Sequence, residues 1–309
     1  MKHLRSIAEL GMDGALEVFR RADLLTDLLS GGRRDDLRGC TVATVFFESS
    51  TRTQLSFEAA AQRMGADLLR FNEATSSTNK GESLRDTLET IDAMGCDIMV
   101  LRHPDVGAPW LASRWVRASL VNAGDGSHEH PTQALLDVYT VRNARPGRRF
   151  DGMRLGIVGD VRHSRTARSD VALFSLLGAQ VTLIGTPALL PSCLHGWAMG
   201  SGSLDVDDDL DAVLPKLDVV MTLRVQDERM GDAVASATKR TVERYCLTET
   251  RAAMLSTTAL ILDPGPTSRG LAIASSVADS QRSMIRTQVA NGVLIRAAVM
   301  QLLSSERYS

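Results

Sequence analysis

Thr41-Val42-Ala43-Thr44-Val45-Phe46-Phe47, running straight into Glu48-Ser49-Ser50-Thr51-Arg52-Thr53-Gln54-Leu55-Ser56-Phe57-Glu58, is the stretch on which the fold turns. Its first seven residues are apolar or β-branched without alternation, the pattern of a strand buried on both faces of a parallel sheet. The hydroxyl-rich turn that follows leads into a run with Leu55, Ala59 and Met64 along one face, which is helical spacing. Strand, turn and helix start make the front of a βα unit. In open α/β sheets ligands bind beyond the carboxyl ends of such strands, where helix N-termini present unpaired N–H groups.

Working outward, residues 9–29 carry apolar residues at helical spacing and predict one helix, closed by the polar break GGRRDDLRG. Downstream, 67–71, 97–101 and 119–123 read as further strands, with helices over 82–94 and 131–142 and a polar loop at 76–81. Four strands alternating with helices predict an α/β domain with a mainly parallel sheet. The polar, Pro- and Gly-containing segment 144–149 reads as a link, after which the same grammar restarts. Strands are expected at 154–159, 180–185, 218–223 and 259–262, with a helix over 166–177. The last helix, 288–303, has no strand of its own and is expected to pack back on the first domain. The expectation is therefore two α/β domains, 1–140 with 288–309, and 141–287.

The 309 residues suit two ordinary domains, and 44% hydrophobic with 23% charged residues is normal globular composition. No segment is apolar for the roughly 18 residues a membrane helix needs. The start, MKHLRSIAELGMDGALEVFRRADLL, has acidic residues and no apolar core before a small-residue cleavage site, so a cytoplasmic location is expected, with no membrane partner. The four cysteines, Cys40, Cys96, Cys193 and Cys246, form no CxxC pair, which argues for buried free thiols over a zinc knuckle or disulfide framework. A net charge of -2 gives no general attraction to nucleic acid, so anion binding must come from locally gathered Arg and Lys.

Ser50, Thr51, Arg52 and Thr53 are such a gathering. Three hydroxyls, several backbone N–H groups and a guanidinium can surround a phosphate, although an N-capped helix with an exposed Arg explains the same residues. His128-Glu129-His130 invites a metal reading, but the first and third residues of such a run rarely face one ion, and no metal is expected. Arg165 and Arg224 each follow a strand, so both can project into one cleft. A pair of guanidiniums grips a dicarboxylic substrate well, while the plain alternative is surface arginine. Lys80, in its polar loop, reads by itself as solvated.

FFESSTRTQLSFE at 46–58 resembles the FFExSTRTxxSFE signature of the aspartate and ornithine carbamoyltransferases. SSTNKGESLRDT, LRHP, NAGDGSHEHPTQALLD, GDVRHSRTARS, LRVQDERM and DPGPTSRG follow in that family's order across residues 40–300. The resemblance implies that Ser50, Thr51, Arg52 and Thr53 hold the phosphate of carbamoyl phosphate, and that Arg102 bridges phosphate and carbonyl oxygens. His130 and Thr53 join Arg102 around the carbonyl oxygen, where charge develops in the reaction, and Gln133 accepts a hydrogen bond from the carbamoyl nitrogen. It implies that Ser76 and Lys80 reach into the neighbouring subunit of a homotrimer with shared active sites. Arg165, Arg224 and Gln226, with Lys80, would bind the two carboxylates of L-aspartate, and the carbonyls of Pro264 and Gly265 would orient the reacting nitrogens. LRVQDER is similar to the aspartate branch, whereas the HCLP segment of the ornithine branch is absent.

The implied reaction is carbamoyl transfer to the α-amine of L-aspartate in pyrimidine biosynthesis, without a cofactor, with phosphate as its own proton acceptor. Closure involving the segment 227–239 would exclude water, and a regulatory chain or a dihydroorotase is a possible partner. The sequence also departs from the family. Asp263-Pro264-Gly265-Pro266 replaces the usual His-Pro-Gly-Pro, and Arg269-Gly270-Leu271-Ala272 replaces Arg-Gly-Val-Glu. Asp263 would either pair with an Arg or favour a cationic amine over a dicarboxylate. Two alternatives stay open at this point: a carbamoyltransferase for a different amine, and a catalytically silent paralogue with a scaffolding role. Arg52, Lys80, Arg102 and His130 together have no purpose in a scaffold.

Overall fold

The buried run at 41–46 becomes β1 (Thr41–Phe46), with every residue after Thr41 buried, in a computed structural model that describes residues 1–72, 81–145, 147, 149–224, 241 and 243–305. β1 lies between β2 (Asp67–Asn72) and β3 (Ile98–His103), and β4 (Ser119–Asp125) completes a sheet of order β2-β1-β3-β4. All its pairings are parallel, as the unbroken apolar run of the central strand β1 leads one to expect. Val45, Met99, Leu101 and Leu120 pack with Leu88, Ile91 and Ala112 from α3 (Leu84–Ala93) and α4 (Ala108–Trp115).

At the N-terminus the single expected helix is two elements. α1 (Ile7–Asp23) is bent at Gly11, whose φ is 64°, and a 3-10 turn follows at Thr26–Ser30. Leu25 and Leu28 are both buried, and a spacing of three suits a 3-10 turn as well as an α-helix, so periodicity alone merges them.

The chain divides into two compact units, Met1–Leu136 with Val289–Ser309, and Asp137–Gln288. The divisions fall inside α5 (Pro131–Ala144) and α10 (Ile285–Ser305), not in the polar stretch 144–149. The C-terminal residues 289–309 group with the first unit. Helices carry the chain across, and amphipathic patterning does not reveal where a helix changes its company.

The second unit holds a five-stranded parallel sheet of order β7-β6-β5-β8-β9. Its strands are β5 (Arg154–Val158), β6 (Gln180–Ile184), β7 (Ser203–Asp207), β8 (Val219–Thr222) and β9 (Leu260–Leu262). α6 (Arg165–Leu176) follows β5, the short helices α7 (Leu210–Val213), α8 (Glu249–Met254) and α9 (Ser275–Ala278) come later, and Val158, Ile184, Val220 and Ile261 share a core with Leu210, Leu214 and Leu255. β7 was not expected from the sequence. Its residues, SLDVD, are acidic and largely exposed because it is an edge strand, and edge strands lack the apolar run that marks central ones. Among the described residues no helix is long and apolar enough to cross a membrane.

Candidate active site

In the first unit the register of β1 against β3 places Phe46 opposite Arg102, and Phe47 N–H donates to the Arg102 carbonyl at 2.9 Å. The hydroxyl-rich turn and Arg102 therefore leave the sheet side by side. α2 (Thr51–Arg63) begins directly after this turn. Ser50 takes the N-cap position in extended conformation, but its side chain makes no capping hydrogen bond. The plain capping reading fails at the side chain, and the first-turn N–H groups of α2 keep their affinity for an anion. Thr51 and Arg52 are exposed, and Thr53 is buried.

Thr53 Oγ1 lies 3.4 Å from His130 Nε2. His130 is buried because the chain between β4 and α5 is tied down by Asp125, itself wholly buried. Asp125 Oδ1 accepts from Asn122 Nδ2 at 2.9 Å and from the Glu129 N–H at 3.1 Å, and Oδ2 accepts from the Gly107 N–H at 2.8 Å. His128 Nδ1 also meets Asp125 Oδ2, at 3.1 Å, and its ring makes a T-shaped contact with Trp110. The two histidines of the HEH run thus take separate partners. Gln133, also buried, donates its N–H to the His130 carbonyl at 2.9 Å in the first turn of α5. Arg102 is held by donation from Nη1 to the Ala123 carbonyl at 3.1 Å and from Nη2 to Glu48 Oε1 at 3.4 Å.

A support that sequence reading missed comes from α10. Arg296, buried, donates from Nη1 to Ser56 Oγ at 2.6 Å and lies over the Phe57 ring. Ser56 in turn donates to the carbonyls of Arg52 at 2.6 Å and Thr53 at 3.0 Å. An apolar helix pattern gives no hint that one Arg inside it holds a turn some 240 residues away.

In the second unit β5 and β8 are adjacent, with Val158 opposite Thr222, and the Leu223 N–H donates to the Val158 carbonyl at 2.8 Å. Arg165 and Arg224 follow the carboxyl ends of these two strands. Gly159 makes the exit from β5 possible: its φ is 117°, and a Cβ there would clash with the Leu223 carbonyl oxygen. Asp160, buried, then accepts from the His163 N–H at 3.3 Å and meets its ring Nδ1 at 2.9 Å. Ser164 caps α6 by accepting from the Ala167 N–H at 3.2 Å, which sets Arg165, buried, as the first helical residue. Arg224 is part-exposed.

Beside β8, β9 delivers Asp263, Pro264 and Gly265. Asp263 is only 4% exposed, and its carboxylate turns back on its own loop. Oδ1 accepts from the Gly265 N–H at 2.7 Å, and Oδ2 accepts from Thr222 Oγ1 at 3.3 Å. The acidic side chain that cast doubt on a dicarboxylate substrate thus works as a brace for the Pro264–Gly265 turn. Ala272 is buried, and the bidentate pair of Arg269 with Asp279, at 2.7 and 2.8 Å, occupies that Arg elsewhere. Ser76, Lys80 and Gln226, and the segment 227–239, lie outside the described residues.

Comparison with known proteins matches two consecutive domains along the chain. Residues 2–143 match the carbamoyl-P binding domain of the aspartate/ornithine carbamoyltransferases, and residues 151–303 match their Asp/Orn binding domain. The aspartate carbamoyltransferase catalytic subunit of Parafrankia sp. (strain EAN1pec) is 52% identical over 305 residues, covering 98% of this chain and 96% of that protein. Its counterpart from Acidothermus cellulolyticus is 49% identical over 305 residues, covering 98% and 92%. Among solved structures, the catalytic subunit of M. jannaschii aspartate transcarbamoylase superposes with a TM-score of 0.87 at 32% identity over 100% of both chains. The Trypanosoma cruzi aspartate transcarbamoylase, solved in complex with carbamoyl aspartate and phosphate, gives 0.88 at 28% identity, covering 97% and 94%. Sequence, fold and both domain matches thus agree in making this chain a member of the aspartate/ornithine carbamoyltransferase family.

Proposed function

We propose that this protein transfers the carbamoyl group of carbamoyl phosphate to the α-amine of L-aspartate, giving N-carbamoyl-L-aspartate and phosphate. The observation that carries the reading is the gathering of Arg52, Thr53, Arg102 and His130 at the carboxyl ends of neighbouring parallel strands in the unit that matches the carbamoyl-P binding domain. Ser50, Thr51, Arg52 and Thr53 bind the phosphate through hydroxyls, guanidinium and the N–H groups opening α2. Arg102, Thr53 and His130 surround the carbonyl oxygen, and Gln133 accepts from the carbamoyl NH2. Arg165 and Arg224, assisted by Gln226, take the two aspartate carboxylates, and the carbonyls of Pro264 and Gly265 orient the reacting nitrogens.

The neutral α-amine attacks the carbonyl carbon, the new C–N bond forms, and negative charge grows on the oxygen facing Arg102, Thr53 and His130. The C–O bond to phosphate then breaks, and the departing phosphate takes the amine proton. Approximation of the two substrates and fixed positive charge supply the rate, so no nucleophilic side chain or cofactor enters the scheme. The engagement of Asp263 within its own loop supports aspartate over a cationic amine, because its carboxylate already has its donors.

The same reading makes the protein a cytoplasmic enzyme of pyrimidine biosynthesis and a homotrimer. Ser76 and Lys80 complete the site of the adjacent subunit, Lys80 contacting both substrates, and a regulatory chain or a dihydroorotase is the partner class that fits a catalytic subunit. A phosphate-release assay with carbamoyl phosphate and a panel of amines, with Arg52→Ala as control, tests the reaction. Turnover with L-aspartate that Arg52→Ala abolishes is the expected result; turnover only with another amine overturns the choice of acceptor.

A further inference from the structure

The second unit contains an acid that the proposed reaction does not use. Asp170 of α6 is fully buried, and neither of its carboxyl oxygens receives a hydrogen bond from a donor among the described residues. Its neighbour is another fully buried carboxyl, Asp137 of α5, which is the charged group acting on it. Two ionised carboxylates cannot share a dry site at tolerable cost, so one proton stays in the pair. That proton belongs on Asp170. Asp137 has a donor to steady its charge, because Gln288 Nε2 reaches Asp137 Oδ1 at 2.6 Å, and Asp170 has none.

With Asp137 acting only as an acceptor, the Gln288 amide is oriented. Its Nε2 faces Asp137, and its Oε1 accepts the Asp263 N–H at 3.1 Å. Asp263 then holds the Gly265 N–H. We propose that Asp170 is a proton-bearing positioning residue: as a neutral acid it donates to Asp137 and anchors a run through Gln288 and Asp263 that fixes the Pro264–Gly265 turn. Its link to catalysis rests on the reading of this unit as the amine-binding half. The neutral group facing the pair from α10 is Gln288, and among the described residues no cation acts on Asp170.

Burial first, and then the like charge of Asp137, push the Asp170 carboxyl well above the ordinary carboxylate range. A group raised in this way is stabilising below its unfolded value, and that stability is lost as pH climbs toward the folded one. Asn at 170 donates to Asp137 without carrying a titrating proton, so Asp170→Asn escapes the loss.

Thermal unfolding of full-length wild type and Asp170→Asn from pH 5 to pH 8 is the first arm of the test. The variant's advantage is expected to widen with pH by about 3–5 °C per pH unit while Asp170 is protonated only in the folded state. A constant difference means that Asp170 carries no proton, and overturns the proposal. The second arm is amide hydrogen exchange at Asp263 in Asp170→Leu and Gln288→Leu, read at one pH. Exchange about fivefold faster than wild type, the equivalent of one buried hydrogen bond, is expected in both, with the KM for L-aspartate raised and that for carbamoyl phosphate unchanged. Unchanged exchange at Asp263 in Gln288→Leu breaks the relay. Neither unfolding nor exchange needs turnover, so a failed choice of substrate and a failed relay give different results.

Discussion

Arg52 and Thr53 are neighbours with different tasks. Arg52 is exposed, its charge open to the phosphate of the proposed donor, whereas Thr53 is buried and directs a hydroxyl toward His130. Arg52→Ala should lower kcat about 1000-fold or more, since it removes a charged partner of the transition state, with little change in the unfolding temperature. Thr53→Val keeps the shape and loses one donor, so a fall of about 100-fold in kcat/KM is expected in the same steady-state assay. Asp263 calls for a contrast of two variants. Asp263→Asn retains an oxygen for the Gly265 N–H and should keep activity near wild type, while Asp263→Ala strands two donors and should lose about 1–3 kcal/mol in urea unfolding. If Asn behaves like Ala, the carboxylate charge matters in itself and the bracing role is wrong.

Among the elements, the exits of strands carry the most chemistry in the fewest residues. β1 hands the chain to α2, and β5 hands it to α6 through Gly159. A Cβ at Gly159 meets a backbone carbonyl that cannot swing away, in a conformation that L residues rarely adopt. Gly159→Ala should therefore destabilise by about 1–3 kcal/mol, and should raise the KM for aspartate more than that for carbamoyl phosphate. Calorimetry and the ratio of the two KM values check this. The central strands were legible from composition because both their faces are covered. β7 was not, since an edge strand with an exposed face carries Asp as easily as Val. The bend of α1 at Gly11 escaped for a related reason, because periodicity records which residues are buried and not the geometry that buries them.

For the molecule as a whole, thiol chemistry reports on the packing of both units. Cys40, Cys96 and Cys246 are buried and Cys193 is exposed. Desolvation pushes the Cys96 thiol up to about 12 and raises that of Cys246. In a native titration with a chromogenic disulfide, Cys193 should react fast and the other three only on unfolding; prompt reaction of more than one thiol would show that a unit opens readily. The proposed sharing of active sites in a trimer has its own signature. Inactive Arg52→Ala and inactive Lys80→Ala chains, mixed and reassembled, should regain a fraction of wild-type activity, because some sites draw each residue from an intact copy. Mixtures that stay inactive would mean that each subunit works alone.

The sequence by itself determined the α/β class, the two sheets and the hydroxyl-rich turn between β1 and α2, since these depend on local patterns: buried apolar runs, a cluster of hydroxyls before a helix, an Arg at a strand end. Only the tertiary structure decided what Asp263 does, that Arg296 supports the Arg52 turn through Ser56, and that Asp137 and Asp170 meet in one buried pair. Each of these joins residues far apart in the chain. A carboxylate in a sequence is only a charge, and it becomes a brace, a ligand or a neutral acid according to which donors the fold brings to it.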